Sequence, residues 1–313
     1  MKNYRNVLAV LDAGEININA LEKTLLLAKL DEDVRITVLL PVFDFSRELG
    51  SIMSFPEKEE MLSRIVDARE AELEQAIKDQ GISGNQITVK VIWTRSAGSA
   101  IGAELKNGNY DLILKTFSEN GTLDMITGSE DRRLLRKAQI PVILVKGEQW
   151  QKGSPILVAL NFTELGFCNR VNRKLLREAQ ILCRLSGCEI HLVYAVNFPI
   201  INTYIDVPGY LPSTYSEAVR NDCNAKLKRY ADDHRIPHEN IHLLTGSPDD
   251  VIPETANSLK AAAVLLGSMG RDGFSGAMIG NTAERIMDDL QCDVIVIRTP
   301  EDLLDPSKLD DDD

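Results

Sequence analysis

The sequence contains the same pattern twice, and this duplication limits the folds open to the chain more than any other feature. Residues 7–12 (VLAVLD) resemble residues 156–161 (ILVALN). Later in each half, residues 111–114 (DLIL) match residues 263–266 (AVLL) without a gap. A repeat of about 150 residues has the size of an ordinary domain, so each half can bury its own core. The sequence therefore predicts two tandem domains that share one fold.

The predicted boundaries follow from changes in composition along the chain. The first domain is placed at residues 1–151, the second at residues 152–300, and an acidic tail at residues 301–313. The junction around residues 146–155 is polar and rich in turn-forming residues. The tail ends in four aspartates and has no apolar periodicity, which predicts that it adds nothing to a core.

Short apolar runs alternate with longer amphipathic segments in both halves. Helical periodicity covers residues 20–30, 57–80, 100–105, 171–185, 217–230 and 251–259. Strands that are apolar throughout and separated by helices are typical of a parallel sheet covered on both faces. We therefore expect an α/β fold in which each domain is a doubly wound five-stranded parallel sheet with helices on both faces. A ligand would lie beyond the carboxyl ends of the strands, where the strand order reverses.

Charge and composition argue against several classes of partner. The net charge of −12 and the closing aspartates would repel a nucleic-acid backbone. The five cysteines are odd in number and form no C-x-x-C pair, which is typical of reduced thiols in the cytoplasm. The first residues lack the apolar run of a signal peptide, and no apolar run approaches a membrane span. We expect a cytoplasmic protein that binds neither nucleic acid nor membrane.

A glycine-rich stretch in the second half suits a phosphate. The apolar run 261–266 ends at Gly267, and Gly270 and Gly280 follow before a helical pattern starts near Asn281. Glycine lets backbone N–H groups approach an anion closely, and a helix N-terminus adds free donors and a partial positive charge. The spacing matches neither G-x-G-x-x-G nor the Walker pattern. A surface loop without a ligand stays open as the alternative.

The spacing Gly267-x2-Gly270-x9-Gly280, followed by a small polar residue, resembles the nucleotide-binding signature of the universal stress proteins. Residues 161–163 (NFT) stand where that family often has Asp-Phe-Ser. Residues 246–252 (GSPDDVI) are similar to the family's loop before the third helix. The resemblance implies two tandem domains of the universal-stress-protein type, with the doubly wound fold and with ATP bound in some members.

The same resemblance implies that two domains pair through their last strands, here residues 142–145 and 294–297. An exposed edge of valine and isoleucine favours strand pairing, and the duplicated partner is always present. A homodimer of the whole chain is a further assembly that the resemblance allows.

The resemblance also indicates which residues of the second domain would hold ATP or a related adenine nucleotide. They are Asn161, Phe162, Ala195, Gly267, Ser268, Met269, Gly270, Gly280, Asn281 and Thr282. Asn161 replaces the family's acidic residue after the first strand. An amide both donates and accepts hydrogen bonds, whereas a carboxylate only accepts them. This departure predicts weaker binding or a different phosphate-containing ligand.

The first half keeps a different part of the pattern. A second pocket there would involve Asp12, Pro41, Lys115, Gly128 and Ser129. Asp12 is the family's acidic residue, whereas Lys115 and Ser118 replace the first two glycines in the ungapped match. Lys115 would either neutralise a phosphate or fill the space that a phosphate needs. The glycine loop of the first domain is therefore degenerate.

No catalytic or metal site is recognisable in the sequence. His234, His238 and His242 are spaced by four, but Pro237 interrupts the run, so they are not expected to share a metal. No histidine adjoins the glycine loop, and Asp272 is the only candidate there for a base or a magnesium ligand. At most, slow ATP hydrolysis is expected.

Three functions remain open from the residues and the resemblance. The leading one is a general stress-response protein that binds an adenine nucleotide or related phosphate ligand in its second domain. The second is a non-catalytic scaffold whose nucleotide pockets have decayed. The third is a carrier of a ligand that joins a phosphate to an apolar body, held by the apolar, proline-rich residues 198–212. That stretch would otherwise cover an interface between the domains.

Overall fold

The structure is a computed structural model that describes residues 4–12, 18–30, 32–43, 55–81, 86–94, 96–117, 131, 134–135, 138–162, 166–197, 212–268 and 281–298. Its internal contacts divide the chain into two units, Met1–Gln149 and Trp150–Asp313. This division falls two residues before the predicted boundary.

The first unit alternates strands and helices along the chain. Its elements are β1 (Asn6–Val10), α1 (Ile18–Leu30), β2 (Arg35–Phe43), α2 (Phe55–Asp79), β3 (Ile87–Thr94), α3 (Ala97–Asn107), β4 (Leu112–Thr116) and β5 (Val142–Val145). The strands pair in parallel in the order β3-β2-β1-β4-β5. All residues of β4 and β5 are buried. The core of this unit therefore includes both of these strands.

The second unit repeats this arrangement. Its elements are β6 (Pro155–Ala159), α4 (Gly166–Ser186), β7 (Glu189–Val196), α5 (Pro212–Asp233), a short 3-10 helix (His238–Asn240), β8 (Ile241–Thr245), α6 (Pro248–Leu259), β9 (Ala263–Ser268), α7 (Asn281–Ile286) and β10 (Asp293–Arg298). The parallel order is β8-β7-β6-β9-β10. Helices α6 and α7 pack against each other.

The strand order explains why helices cover both faces of each sheet. In the second unit the chain moves outward from β6 through β7 to β8, then returns to β9 on the other side of β6. Right-handed crossovers in two opposite directions place their helices on opposite faces. The predicted doubly wound five-stranded parallel sheet is confirmed in each unit.

Helices α3 and α6 begin three residues earlier than the apolar periodicity indicates, because each starts from a serine cap. Ser96 caps α3 by accepting a hydrogen bond from the Ser99 N–H. Ser247 caps α6 by accepting one from the Asp249 N–H, and Pro248 occupies the first turn. Serine caps and first-turn proline satisfy or avoid the unpaired N–H groups of a helix start. These starts carry cap residues instead of apolar ones, which explains the difference.

The registers of the two sheets correct the ungapped match between the halves. Val7 pairs with Leu112, and its counterpart Ile156 pairs with Ala263. The pairing of β4 with β5 and of β9 with β10 gives the same correspondence. Leu112 is therefore equivalent to Ala263, and the ungapped match, which aligned residue 111 with residue 263, is wrong by one residue in this strand.

A slip of one residue changes the face to which every side chain of a strand belongs. In the corrected alignment Lys115 is equivalent to Leu266, and Thr116 is equivalent to Gly267. The residue that replaces the first glycine of the loop in the first domain is thus Thr116. Lys115, which was assigned that position from the sequence, belongs to the opposite face of β4.

Candidate functional site

The carboxyl ends of β6 and β9 form the point at which the strand order of the second domain reverses. These strands are neighbours, with Val158 paired to Leu265. Asn161 follows the end of β6, and Gly267 lies near the end of β9, so both are at the same edge of the sheet. The pairing of Ala159 with Val193 makes Ala195 level with Asn161 on the next strand. Four residues assigned from the sequence, including Phe162, thus share one edge.

The other assigned residues are only partly described. Ser268 ends β9, and Asn281 and Thr282 are the first two residues of α7, described by their backbone alone. Met269, Gly270 and Gly280 lie outside the described residues. The element that follows the glycine loop is therefore a helix, which is the sequence-based expectation for this stretch.

The backbone of Asn161 is held in place by two hydrogen bonds to the side chain of Asn172. Its N–H donates to Asn172 Oδ1 at 3.0 Å, and Asn172 Nδ2 donates to the Asn161 carbonyl at 2.8 Å. The Asn172 side chain comes from α4 and is 1% exposed. The oxygen and the nitrogen of this buried amide are both hydrogen-bonded. Breaking either bond would leave a polar group buried without a partner, so the side chain is firmly held. The sequence pattern did not reveal Asn172, since an isolated asparagine within a helix carries no motif.

Gly267 has a packing role that the sequence did not reveal. A Cβ atom built on it would lie 2.5 Å from Val171 Cγ1 and 3.6 Å from Leu175 Cδ1, both on α4. The shorter distance is far below van der Waals contact, so only glycine permits α4 to lie this close to β9. The absence of a side chain at this position therefore serves the fold as well as any ligand.

Phe162 belongs to an aromatic cluster. Its ring contacts Tyr194 of β7 edge-on, with centroids 5.2 Å apart, and Tyr230 of α5 at 5.6 Å. Tyr230 also contacts His234 at 4.6 Å. Burial raises the pKa of Tyr230, so its hydroxyl is neutral at physiological pH. The cluster packs Phe162, the residue that follows Asn161, against β7 and α5.

An ion pair connects two helices of the second domain near the same edge. Arg285 of α7 contacts Asp249 in the first turn of α6, with 2.8 Å between Nη1 and Oδ2. Asp249 also suits the positive end of the α6 dipole. The pair fastens the helix that follows the glycine loop to the helix that follows β8.

The equivalent point of the first domain contains charged groups in place of this arrangement. Lys115 Nζ lies 2.8 Å from Asp131 Oδ1 and 3.4 Å from Asp12 Oδ1. It also donates to the Thr116 carbonyl at 2.9 Å. The side chains of Lys115 and Asp131 are 0% exposed, whereas that of Asp12 is 37% exposed. The ammonium is therefore neutralised within the domain and has no need of a phosphate.

Both charged residues stand where the second domain has apolar ones. Lys115 is equivalent to Leu266, and the match of residues 128–129 with residues 280–281 makes Asp131 equivalent to Ala283. Leu266 and Ala283 are 3% and 2% exposed. A buried salt bridge in the first domain thus stands where the second domain has two buried apolar side chains. Pro41 is buried in β2, while Gly128 and Ser129 lie outside the described residues.

The three histidines spaced by four have separate neighbours. His242 Nε2 lies 3.0 Å from His191 Nδ1, His238 contacts Asp232 at 2.7 Å, and His234 packs on Tyr230. In the part of the chain that the structure describes, no three His, Cys, Asp or Glu side chains are grouped as metal ligands.

The described thiols are shielded. Cys183, Cys188, Cys223 and Cys292 are free cysteines. Burial, followed by the proximity of Cys188, raises the pKa of Cys183 to about 12. A thiol with so high a pKa holds little nucleophilic thiolate. Of the helices described, none is long and apolar enough to cross a membrane.

Comparison with known proteins supports the repeat and the fold together. A sequence profile of the universal stress protein family matches residues 3–146 and again residues 155–298. The chain belongs to the universal stress protein family. The two matches correspond to the two units of the structure, so the chain is a tandem member.

Several curated relatives match this chain along nearly their whole length. Universal stress protein E of Salmonella typhi is 34% identical over 316 residues, which cover 100% of both chains. Universal stress protein E of Escherichia coli K12 is 34% identical over 314 residues and 99% of both chains. The homologue from Haemophilus influenzae is 31% identical, with 98% of this chain and 99% of the relative covered. The chain thus resembles universal stress protein E across both of its domains.

Solved structures show the same fold at lower identity. A protein of unknown function from Pseudomonas aeruginosa PAO1 superposes with a TM-score of 0.71 at 24% identity, covering 98% of this chain and 95% of that one. A universal stress protein from Archaeoglobus fulgidus gives a TM-score of 0.62 at 19% identity, with coverage of 94% and 97%. At such identity the likeness concerns the fold alone.

Proposed function

We propose that this universal stress protein binds one adenine nucleotide, or a related phosphate-containing ligand, per chain, in its second domain. The observation that carries the proposal is the position of Asn161 and Gly267 at the reversal point of strand order. Open α/β sheets bind ligands at this point, beyond the carboxyl ends of the strands. A short helix, α7, starts at Asn281 after the loop, where the glycine spacing predicts a helix start.

The charges of the first domain argue that only the second domain binds. Asp12, the family's acidic residue, faces the Lys115 ammonium at 3.4 Å, so its carboxylate already has a cationic neighbour. Lys115, Asp131 and Asp12 together carry a formal net charge of −1, and the Lys115 ammonium is already paired with carboxylates within the domain. The second domain has Asn161, Leu266 and Ala283 at these positions, and none of them is charged.

Calorimetry of the full-length chain with ATP and with ADP tests this proposal. One site per chain is expected, with Gly270→Val abolishing the heat because the added bulk lies where the backbone must approach the phosphates. Asn161→Asp should tighten ATP binding if the family's acidic contact is what has been lost. Gly102→Ala is the matched control, because a Cβ there meets no atom within 4 Å. If neither the wild type nor Asn161→Asp releases heat with millimolar ATP, the nucleotide proposal fails.

A carrier of a ligand with a phosphate and an apolar body is the second candidate. The aromatic cluster of Phe162, Tyr194 and Tyr230 beside Asn161 favours it. Native mass spectrometry of the purified protein distinguishes the two, since a retained ligand heavier and more apolar than a nucleotide would support the carrier. If the purified protein retains no ligand and does not bind ATP, the scaffold function is supported.

Location and assembly are proposed on the family and the sequence. We propose that the protein is cytoplasmic, and that residues 142–145 and 294–297 pair as the last strands of the two domains. Cell fractionation tests the location. Light scattering of the full-length chain during size exclusion tests for a homodimer, and cysteine pairs introduced along the two last strands test their pairing by cross-linking.

A further inference from the structure

We propose that Gly267 and Asn172 act as a coupled pair that fixes the position of Asn161, and that Asn172 is a positioning residue of the second-domain site. The proposal deepens the proposed function and rests on it for the role of Asn161 toward a ligand. A glycine in such a loop is usually expected to make room for a ligand. Here we assign Gly267 a role in packing, because the lack of a Cβ lets α4 approach the sheet.

The first step is the contact between Gly267 and α4. An alanine Cβ at residue 267 would lie 2.5 Å from Val171 Cγ1. Valine is β-branched and has a strongly preferred rotamer in a helix, so its methyl group cannot simply rotate away. The helix itself would have to move outward, because buried side chains at native packing density leave no space for an added methyl.

The second step is the next residue of the same helix. Asn172 follows Val171 and reaches the Asn161 backbone with bonds of 3.0 and 2.8 Å. Hydrogen bonds weaken steeply when the donor–acceptor distance grows beyond about 3.5 Å. A displacement of α4 large enough to admit a methyl at residue 267 would therefore stretch both bonds beyond their range.

The third step is the position of Asn161 in the sheet. The pairing of β6 with β7 ends at Ala159 and Val193, followed by one hydrogen bond from the Leu160 N–H to the Val193 carbonyl. Asn161 lies one residue further on. The Asn172 carboxamide engages its N–H and its C=O as a neighbouring strand would, so it extends the ordered backbone to the residue beside the site.

The consequence is a fixed backbone at Asn161, which sets the direction of its Cα–Cβ bond. Under the proposed function, the carboxamide is the group through which Asn161 contacts a ligand. Fixing that group in advance lowers the ordering cost of binding. The effect should concern the base and ribose end of a nucleotide, since the phosphates are assigned to the glycine loop.

The test uses full-length protein and a compensating variant. Gly267→Ala should weaken ATP binding about tenfold or more and speed hydrogen exchange at the Asn161 amide in ligand-free protein. Adding Val171→Ala removes the methyl that the new Cβ strikes, and should restore both. Asn172→Ala should reproduce both losses, and Val171→Ala should not restore them. Inorganic triphosphate, which lacks a base and a ribose, should bind Asn172→Ala as it binds the wild type.

A general loss of stability would behave differently. Val171→Ala deletes buried apolar atoms, so it would worsen a variant that is merely destabilised. Thr255→Val is the matched control: it removes a buried hydrogen bond of 2.6 Å to the Val251 carbonyl in α6 and should leave exchange at Asn161 unchanged. The coupling is overturned if Gly267→Ala leaves the Asn161 amide protected, or if Val171→Ala fails to restore it. Absence of ATP binding by the wild type would overturn the proposed function, while amide exchange would still decide the coupling.

Discussion

Lys115 and Asp131 form a salt bridge of 2.8 Å inside the first domain, and neither side chain is exposed to solvent. The equivalent residues of the second domain, Leu266 and Ala283, are apolar and buried. Removing two charges from water costs several kcal/mol, which their attraction offsets only when both partners are present. Equivalent positions of the two domains therefore hold a buried ion pair in one case and two buried apolar side chains in the other.

Replacing both members of this salt bridge should be tolerated far better than replacing one. Lys115→Leu alone leaves the Asp131 carboxylate buried without its ammonium, and should lower the free energy of unfolding by about 3 kcal/mol or more. Lys115→Leu combined with Asp131→Ala introduces the residue types found at the equivalent positions of the second domain, and should recover most of that loss. Urea denaturation of the two single variants and the double variant measures the coupling.

The exposed pair Lys226–Asp222 provides the control for that cycle. Its atoms are 2.7 Å apart on one helix, but its side chains are 44% and 59% exposed. Water and salt screen such pairs, which typically contribute under about 1 kcal/mol. Additive single effects at Lys115 and Asp131, like those expected for this control, would show that the buried pair is not coupled.

The two imidazoles of His191 and His242 predict a loss of stability in mild acid. Nδ1 of one ring lies 3.0 Å from Nε2 of the other, while the ring centroids are 5.3 Å apart and the planes differ by 9°. The distance between the ring centroids exceeds the distance between the two nitrogens by about one ring diameter, as expected for rings that meet edge to edge. The rings are therefore side by side in one plane and share a hydrogen bond, for which one ring must donate and the other accept.

Protonating both rings removes this hydrogen bond and sets two cations side by side. Burial lowers the pKa of both histidines, and His242 lowers that of His191 further, although Glu189 opposes this shift. Because the folded-state pKa values lie below 6.5, the unfolded chain binds more protons as the pH falls through that value. Stability should thus be complete above pH 6.5 and decline below it. Replacing His191 with Asn and His242 with Gln should flatten this decline in denaturation curves recorded from pH 7.5 to 5.

The hydrogen bond from Trp150 to Asp293 predicts an unequal effect of two tryptophan substitutions. Trp150 Nε1 donates to Asp293 Oδ2 at 2.8 Å, and Asp293 is fully buried. Trp150→Phe should lower the free energy of unfolding by about 1–3 kcal/mol, because it removes a donor from a buried acceptor. Trp93→Phe is the control, since Trp93 Nε1 is buried without a hydrogen-bond partner among the described residues. Equal losses in the two variants would contradict a role for the Trp150 bond.

Removal of residues 301–313 should leave thermal stability unchanged. Five of the last nine residues are acidic, and apolar periodicity is missing, so burial cannot offset the cost of ordering them. Differential scanning calorimetry of the full chain and of the chain ending at Pro300 makes the comparison. A fall of several degrees in Tm on truncation would mean that the tail is docked on the folded protein.

Local patterns were sufficient to predict the architecture. Apolar runs separated by amphipathic segments indicated parallel strands and covering helices in both halves, and the structure confirms them. Such patterns depend only on residues that are near one another in the sequence, so they can be recognised without a structure. The glycine spacing likewise indicated a loop between β9 and a helix, and α7 begins at Asn281.

The details of the candidate site depended on contacts between distant residues. The register of β4 moved Lys115 to the opposite face, because a strand of five apolar or mixed residues looks much the same after a slip of one. Asn172 and Asn161 are eleven residues apart, and Lys115 and Asp131 are sixteen residues apart. Side chains alone in a helix or strand show no pattern, so their partners emerge only when packing brings the elements together. Local periodicity thus defined which segments form the sheet, whereas tertiary packing decided which of its polar side chains are paired internally and which lie beside the site.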